Sequence, residues 1–347
     1  MTNAVLDTST TELTCRAKPR LGFLGLGWIG RNRMESIVQS GLAEVVGIAE
    51  PAASLMAEAA KVSPTATHCS SLEELLELPL DGVVIATPSA LHAKQSIVAL
   101  EAGMHVFCQK PLGRDALETA RVVDAARANN KLLGVDLSYR FMDEVRAVTD
   151  LVKGGDLGHV YAIDLTFHNA YGPNKSWFYD PKLSGGGCVI DLGIHLVDLG
   201  LWALGFPVVD AVTSRLFAQG RPLVSLGAHV EDHAVARVDL RGGTVLQVSC
   251  SWKLHAGCDA VISGAFYGTR GSAQFRNVNG SFFDFVGERM EGTKRVELSS
   301  CRGGWGGRAA LEWVRRVHNQ EAYDPANEHL VEVAKVLDAI YQRGLKS

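Results

Sequence analysis

The feature that most constrains the fold is an alternation of continuously apolar and amphipathic segments between residues 20 and 137. RLGFLGL (20–26), EVVGIAE (44–50) and GVVIATP (82–88) are apolar over the length of a strand, and the stretches that follow them carry apolar residues at helical spacing. Helices are predicted over 28–40, over 51–61 beginning with Pro51, and over 89–103 with Ser89 as the cap. Strands that are apolar on both sides are typical of parallel sheets, which helices cover on both faces. The first third of the chain is therefore predicted to be an α/β domain with a doubly wound parallel sheet.

A glycine-rich turn follows the first strand. GLGWIG (25–30) has the pattern G-x-G-x-x-G between a predicted strand and a predicted helix, and Glu50 ends the second strand about 20 residues later. The glycines let the backbone approach a pyrophosphate, the helix N-terminus offers free N–H groups, and the acid can bind the adenosine ribose. This predicts a Rossmann dinucleotide-binding site formed by Gly25, Gly27, Trp28, Ile29, Gly30 and Glu50.

The residues around Glu50 favour NAD over NADP. A carboxylate at this position repels a 2′-phosphate, and no arginine directly follows Glu50. Arg31 and Arg33 follow the glycine turn, and Arg31 could reach the ribose from the start of the first helix. We expect Arg31 to face the helix surface or the adenine side, so NAD is the predicted cofactor and NADP stays possible.

Ligands of an open parallel sheet bind beyond the carboxyl ends of its strands. Two further stretches lie at such ends, ATPSALH (86–92) and CQKPLG (108–113). Thr87, Pro88 and His92 of the first are predicted to contact the cofactor. Lys110 of the second, just before a proline, is predicted to contact both cofactor and substrate.

The pattern changes near Arg140. A helix is predicted over 143–153, and from residue 158 onward the strands become longer and alternate apolar with polar residues, joined by turns such as GG (242–243) and GTRG (268–271). This favours an α+β domain with a large, mainly antiparallel sheet, closed by helices at about 307–319 and 326–343. CRGGWGGR is interpreted as a loop (301–308). The predicted division is a flexible leader (1–19), a dinucleotide-binding domain (20–140) and a second domain (141–347) for substrate binding and oligomerisation.

A polar stripe crosses an otherwise apolar helix predicted over 187–204. Asp191, His195 and Asp198 are spaced i, i+4 and i+7, so they share one helix face. Burying such groups without a partner is costly. The stripe must therefore face a partner, a metal or a water-filled cleft.

Together these stretches resemble the Gfo/Idh/MocA superfamily of NAD(P)-dependent oxidoreductases, which includes glucose–fructose oxidoreductase and inositol dehydrogenase. The resemblance covers roughly residues 20–345 and is carried by GLGWIG, ATPSALHA, the KP of QKPLG, and the GGG…D-x-G-x-H-x-x-D pattern of 185–198. It implies that Lys110 is the lysine of the family's E-K-P motif and that Asp191 and His195 complete the active site. It also implies a homo-oligomer, a dimer or tetramer, formed through the sheet of the second domain.

The expected reaction is hydride transfer between nicotinamide and a secondary alcohol of a sugar, sugar derivative or cyclitol. His195 titrates near neutrality and would exchange the hydroxyl proton, while Lys110 would polarise the reacting oxygen. Asp191 would bind substrate hydroxyls or orient the imidazole, and Asp198 would support the site or join the domains. Arg140, His168 and Trp177 are further predicted substrate contacts.

One residue departs from the family pattern. The glutamate of E-K-P is Gln109 here, which keeps hydrogen-bonding capacity but loses the charge. The charged form of Lys110 thereby loses the support of a neighbouring carboxylate.

Several alternatives stay open. Tyr171, Trp177, Phe178 and Tyr179 could stack on a sugar ring or wall the domain. A tightly bound cofactor, a dihydrodiol-type oxidoreductase and a non-catalytic nucleotide-binding regulator are the competing functions. No metal is expected, because Cys250, His255 and Cys258 lack a fourth ligand and a lysine near Asp191 and His195 would repel a cation.

Composition excludes other classes of partner. The net charge of −4 with scattered Lys and Arg predicts no nucleic-acid binding. The seven cysteines show no paired framework, and the first 20 residues lack an apolar signal-peptide core, so a cytoplasmic protein is expected. The run 188–204 approaches membrane length, but its three ionisable residues argue against spanning.

Overall fold

A six-stranded parallel sheet in the order β3-β2-β1-β4-β5-β6 organises the first part of the chain. The computed structural model describes residues 17–227, 229–301 and 306–344, so most of the predicted leader and part of the 301–308 loop lie outside the described residues. The strand order reverses between β1 and β4, which confirms the doubly wound sheet and opens a crevice at their carboxyl ends. The strands are β1 (Arg20–Leu24), β2 (Glu44–Ala49), β3 (Thr67–Cys69), β4 (Gly82–Ile85), β5 (His105–Cys108) and β6 (Leu133–Val135).

Within the described ranges, five helices connect these strands. The helix predicted from Pro51 begins two residues later, at Ala53. Ser89 is the first helical residue of its helix, so Pro88 and not Ser89 is the N-cap. The short β3–α3 unit was not predicted, because three strand residues and five helical residues carry too little periodicity. The helices are α1 (Trp28–Ser40), α2 (Ala53–Val62), α3 (Leu72–Leu76), α4 (Ser89–Glu101) and α5 (Ala116–Ala128).

A nine-stranded sheet in the order β15-β14-β13-β12-β7-β11-β10-β8-β9 organises the second part of the chain. All its neighbours are antiparallel except β7 and β11, and the predicted turns at 242–243 and 268–271 join β10 to β11 and β12 to β13. The mainly antiparallel sheet is confirmed. The strands are β7 (Val160–Asn169), β8 (Val209–Ala218), β9 (Arg221–Pro222), β10 (His233–Leu240), β11 (Val245–Ser251), β12 (Ala260–Gly268), β13 (Gly271–Asn277), β14 (Phe285–Glu291) and β15 (Lys294–Cys301).

The helix that carries the polar stripe is not one continuous α-helix. It begins as a π-helix over Val189–Gly193 and continues as an α-helix from Ile194, where the prediction had a single α-helix over 187–204. Wider π-turns occur frequently at functional sites. The helices of this part are α6 (Asp143–Lys153), α7 (Pro181–Ser184), α8 (Ile194–Ala203), α9 (Arg308–His318) and α10 (Glu328–Gly344).

The last two helices tie the second part of the chain to the first. The ring of Trp313 on α9 lies 5.7 Å from that of Phe107 on β5, inside the core of the parallel sheet. Helix α10 contacts both α5 and β8. The chain therefore returns to its first core, which a linear boundary at residue 140 does not anticipate.

Among the residues that the structure describes, one helical segment, Pro181–Ala203, is long and apolar enough to cross a membrane. Of its most apolar window, 89% is buried inside the protein, between the nine-stranded sheet and the cleft. Such burial is typical of the core helix of a globular domain.

Candidate active site

A cavity of about 910 Å³ lies between the two parts of the chain. Its walls come from the glycine turn, from the carboxyl ends of β2, β4, β5 and β6, from the loop 173–178 and from the π-helix. Three predicted site residues, Gly30, Arg140 and His168, do not line it. The predicted residues that do are Gly25, Gly27, Trp28, Ile29, Glu50, Thr87, Pro88, His92, Lys110, Trp177, Asp191 and His195.

The glycine turn lies at the base of the cavity. Gly25 has a φ of +85°, and a Cβ there would lie 2.7 Å from the backbone of Thr87. A Cβ at Gly30 would lie 2.1 Å from the carbonyl oxygen of Gly25, so Gly30 serves the close packing of α1 against the turn. Gly27 is the N-cap of α1 and provides no side-chain acceptor for the free N–H groups. The turn therefore presents open backbone donors to the cavity.

Glu50 closes this turn from the end of β2. Its carboxylate accepts hydrogen bonds from the backbone N–H of Leu26 at 2.8 Å and of Ala52 at 3.0 Å. Arg31 points to the outer surface, where it lies 3.5 Å from Glu35 and 3.8 Å from Glu58. The acid therefore lines the cavity while Arg31 faces α2.

A buried polar network beneath the cavity was not predicted. Arg33 on α1 is 1% exposed, and its Nε donates to Asp136 Oδ2 at 2.6 Å. Gln109 donates its side-chain amide to the same oxygen. A charged residue inside the apolar stretch LLGVDL was the available signal for Asp136. The amide of Gln109 thus pairs with a carboxylate that already has a cationic partner.

Lys110 reaches across the cleft to the second domain. Its Nζ donates to Asp191 Oδ1 at 2.7 Å and to the backbone carbonyl of Asp191 at 2.6 Å. The other carboxylate oxygen accepts a hydrogen bond from Trp252 Nε1 at 3.0 Å, a residue that the sequence analysis did not select. The expectation that Lys110 lacks a neighbouring carboxylate is wrong, because folding supplies one from the π-helix in place of residue 109.

His195 lies one turn beyond Asp191 and is 7% exposed. Its ring packs edge-on to Tyr139 at 5.0 Å and against Phe167 at 6.3 Å between ring centres. Burial, together with the nearby charges of Lys110 and Arg33, lowers the pKa of His195 well below its usual value. In the described part of the chain no hydrogen bond joins His195 to Asp191, so the aspartate fixes the lysine and not the imidazole.

His92 holds two cavity loops together. Its Nδ1 lies 2.7 Å from the carbonyl oxygen of Pro111, and its Nε2 lies 2.6 Å from that of Thr87. Burial lowers the pKa of the ring, and a neutral imidazole, which has a single N–H, donates to one of these two carbonyls. His92 positions the loops of Thr87 and Lys110 from beneath.

Two family models match the chain. One describes the NAD-binding Rossmann fold of an oxidoreductase family and matches residues 19–137, and the other is the GFO/IDH/MocA C-terminal domain over residues 145–274. The chain belongs to the Gfo/Idh/MocA oxidoreductase family. Its first domain is accordingly an NAD-binding Rossmann domain.

Relatives with similar sequences are named as dehydrogenases of sugar compounds. The chain is 29% identical over 209 residues to D-glucoside 3-dehydrogenase of Escherichia coli K12, a match covering 57% of this chain and 60% of that protein. It is 30% identical over 250 residues to levoglucosan dehydrogenase of Pseudarthrobacter phenanthrenivorans, covering 66% and 64%. The matches thus span less than two thirds of these relatives.

Solved structures of the family share the fold. Levoglucosan dehydrogenase in complex with NADH and levoglucosan superposes with a TM-score of 0.79 at 22% identity, over 94% of this chain and 97% of that one. At this identity the likeness establishes the fold alone.

Three residues predicted to support the site lie away from the cavity in this family member. Arg140 Nε donates to Asp198 Oδ2 at 2.8 Å, and its guanidinium lies over Trp202, so the two charges of this pair are engaged with each other away from the cavity. His168 Nδ1 lies 2.7 Å from Ser251 Oγ on the outer face of the sheet. Strand alternation requires this, because the preceding Phe167 faces the cavity.

The aromatic residues before the helix divide into two groups. Trp177 and Phe178 line the cavity and stack on each other at 3.8 Å between ring centres. Tyr179 donates its hydroxyl to the carbonyl of Pro173, and Tyr171 is half exposed outside the cavity. Among the described residues no group of three or more His, Cys, Asp and Glu side chains could hold a metal ion.

Proposed function

We propose that the protein is an NAD-dependent dehydrogenase that transfers hydride between nicotinamide and a secondary alcohol of a sugar, sugar derivative or cyclitol. The observation that carries this proposal is the Lys110–Asp191 pair beside the buried His195, on the same cavity as the glycine turn. The substrate class follows relatives named for a glucoside, for levoglucosan and for inositol.

The residues of the first domain fit a dinucleotide. A Cβ at Gly25 or Gly30 would clash with backbone atoms, so both positions require glycine. This allows the close contact between turn and first helix that a dinucleotide-binding site has. The uncapped N-terminus of α1 offers N–H donors to a pyrophosphate. Glu50 faces the cavity and Arg31 does not, which favours NAD over NADP.

His195 and Lys110 divide the work at the reacting alcohol. The bound nicotinamide ring supplies the hydride acceptor. His195 is neutral at neutral pH because its pKa is lowered, so a ring nitrogen can take the hydroxyl proton. Lys110 donates a hydrogen bond to the same oxygen and stabilises the negative charge that develops there. Asp191, held by Trp252, fixes the ammonium group for this task.

A spectrophotometric screen tests the proposal. Purified protein is incubated with NAD or NADP and with cyclitols, aldoses or glycosides, and the absorbance of reduced nicotinamide is followed. We expect turnover with one group of polyols that is lost in His195→Ala. Reduced cofactor released from freshly purified, denatured protein would instead indicate a tightly bound cofactor. Binding of NADH without turnover of any polyol would refute the proposal and favour a nucleotide-binding regulator.

The homo-oligomer expected through the nine-stranded sheet is part of this proposal. The outer face of that sheet carries the half-exposed Val235 and the stacked rings of His168 and His233, whose centres lie 5.9 Å apart. Light scattering on the purified protein, with Val235→Glu as the disruptive variant, measures whether this face joins two subunits.

A further inference from the structure

We infer that Lys175 of the second domain binds the pyrophosphate of the cofactor, on the side opposite the glycine turn. This inference rests on the proposed use of a dinucleotide. Lys175 lies in the loop between β7 and α7, immediately before a short 3₁₀ helix, Ser176–Tyr179. Its Nζ lies 2.9 Å from the position that a Cβ on Gly27 would occupy. A cation of the second domain therefore reaches the N-cap of α1 in the first domain.

The local charges call for an anion between these two groups. The N-terminus of α1 carries a partial positive charge, and its first turn contains no acidic residue. A lysine beside such a helix end is unfavourable unless negative charge lies between them. Within the described residues no carboxylate lies within 4.0 Å of the Lys175 ammonium. The nearby Glu50 already accepts the N–H groups of Leu26 and Ala52.

A pyrophosphate suits this position in both charge and place. It would accept the backbone N–H groups of the turn on one side and the ammonium of Lys175 on the other. The glycine turn is the part of a Rossmann domain where the pyrophosphate lies. Both Gly27 and Lys175 line the cavity that also holds Lys110 and His195.

The same loop carries part of the substrate wall. Trp177 and Phe178 follow Lys175 and line the cavity. A contact between Lys175 and the cofactor therefore fixes the loop that presents these rings. Cofactor and substrate sites are joined by this short segment.

Binding measurements on charge variants test the inference. Lys175→Met removes the ammonium and keeps the chain length, Lys175→Arg keeps the charge, and Lys335→Met removes an exposed lysine that pairs with Glu332 on α10. NADH and ADP-ribose are titrated by calorimetry, since both contain the pyrophosphate and only NADH contains nicotinamide. We expect Lys175→Met to weaken both about tenfold, which is about 1.4 kcal/mol, and to reduce the salt dependence of binding. Lys175→Arg and Lys335→Met should remain within about threefold of wild type.

The outcomes separate this inference from the proposed function. Wild-type protein that binds neither ligand would refute both. Wild-type binding with an unaffected Lys175→Met variant would refute the inference alone. A loss confined to NADH would also overturn it, because the contact would then lie on the nicotinamide half. Circular dichroism of each variant confirms that the fold is retained, as expected for an exposed side chain.

Discussion

Restoring the family's glutamate at position 109 should destabilise this protein. Gln109 is 6% exposed and donates its amide to Asp136 Oδ2, the oxygen that also accepts Arg33 Nε. Gln109→Glu replaces this donor with a second carboxylate of the same shape. Two carboxylates then share one buried site, in which the Arg33 guanidinium is bound to Asp136.

The size of the effect follows from Coulomb's law and from protonation. Two unit charges at about 4 Å repel by about 4 kcal/mol at an effective dielectric constant of about 20. A repulsion of this size raises the pKa of the new glutamate from about 4.3 to about 7, because each pKa unit corresponds to about 1.4 kcal/mol. Where the pH is below the raised pKa, the carboxyl is protonated and the repulsion is absent. The protonated acid can donate to Asp136 as the amide did. We therefore expect a loss of about 3–4 kcal/mol of unfolding free energy at pH 8, and only about 1 kcal/mol at pH 5.

The sign of the pH dependence is fixed by the direction of the shift. A carboxyl whose pKa is raised in the folded state binds its proton more tightly there than in the unfolded chain. The penalty is therefore absent below the unfolded pKa and grows as the pH rises toward the folded one. Denaturant unfolding of parent and variant at both pH values measures the two differences.

Gln247→Glu provides the matched control. Gln247 also donates its amide to an aspartate, Asp164 Oδ1, at 3.0 Å, but this pair is exposed on the outer face of the nine-stranded sheet. Because that face is the proposed subunit interface, parent and both variants are compared in the Val235→Glu background, in which the face stays in solvent. Solvent screens the new charge, so the change should stay within about 0.5 kcal/mol at either pH. Equal stability of Gln109→Glu and parent at pH 8 would refute the reasoning, and so would a loss that does not shrink at pH 5.

Three further predictions concern the proposed reaction. His195→Ala should lower turnover roughly 10²–10⁴-fold with NADH binding unchanged. The parent's rate of alcohol oxidation should fall only below pH 6.5, as the pH drops through the lowered pKa of His195. An inflection above pH 6.5 that disappears in the variant would contradict this. Lys110→Met should lower kcat/KM by the equivalent of about 3 kcal/mol, comparable to the loss of one oxyanion donor. Lys110→Arg should not restore kcat/KM, because the planar guanidinium cannot place a donor where the compact ammonium does. Parent-like kcat/KM in Lys110→Met would remove the lysine from the mechanism. Glu50→Gln should reduce the preference for NAD over NADP by about tenfold, since the carboxylate no longer repels a 2′-phosphate; initial rates with both cofactors measure this, and a parent that prefers NADP would contradict it.

The local pattern of the chain was enough to predict most of the first domain, apart from the short β3–α3 unit. Helices α1 and α6 have the predicted bounds, because each has an apolar face at helical spacing and ends at a glycine. Both signals lie within one short segment of the sequence. The glycine turn and Glu50 likewise depend on a strand, a turn and a helix that are adjacent in sequence. The polar stripe indicated Asp191 and His195 because charge in an apolar helix needs a partner.

The partners themselves were decided by tertiary structure. Lys110 meets Asp191 across 81 positions of sequence, and Arg33 meets Asp136 across 103, because strand ends and helix faces far apart in the chain converge on one cleft. The π-turn that presents the carbonyl of Asp191 to Lys110 leaves no periodic signal. Sequence determines which residues need a partner, since desolvation acts on each residue alone. Which partner satisfies that need depends on the packing of whole elements, and only the folded chain fixes it.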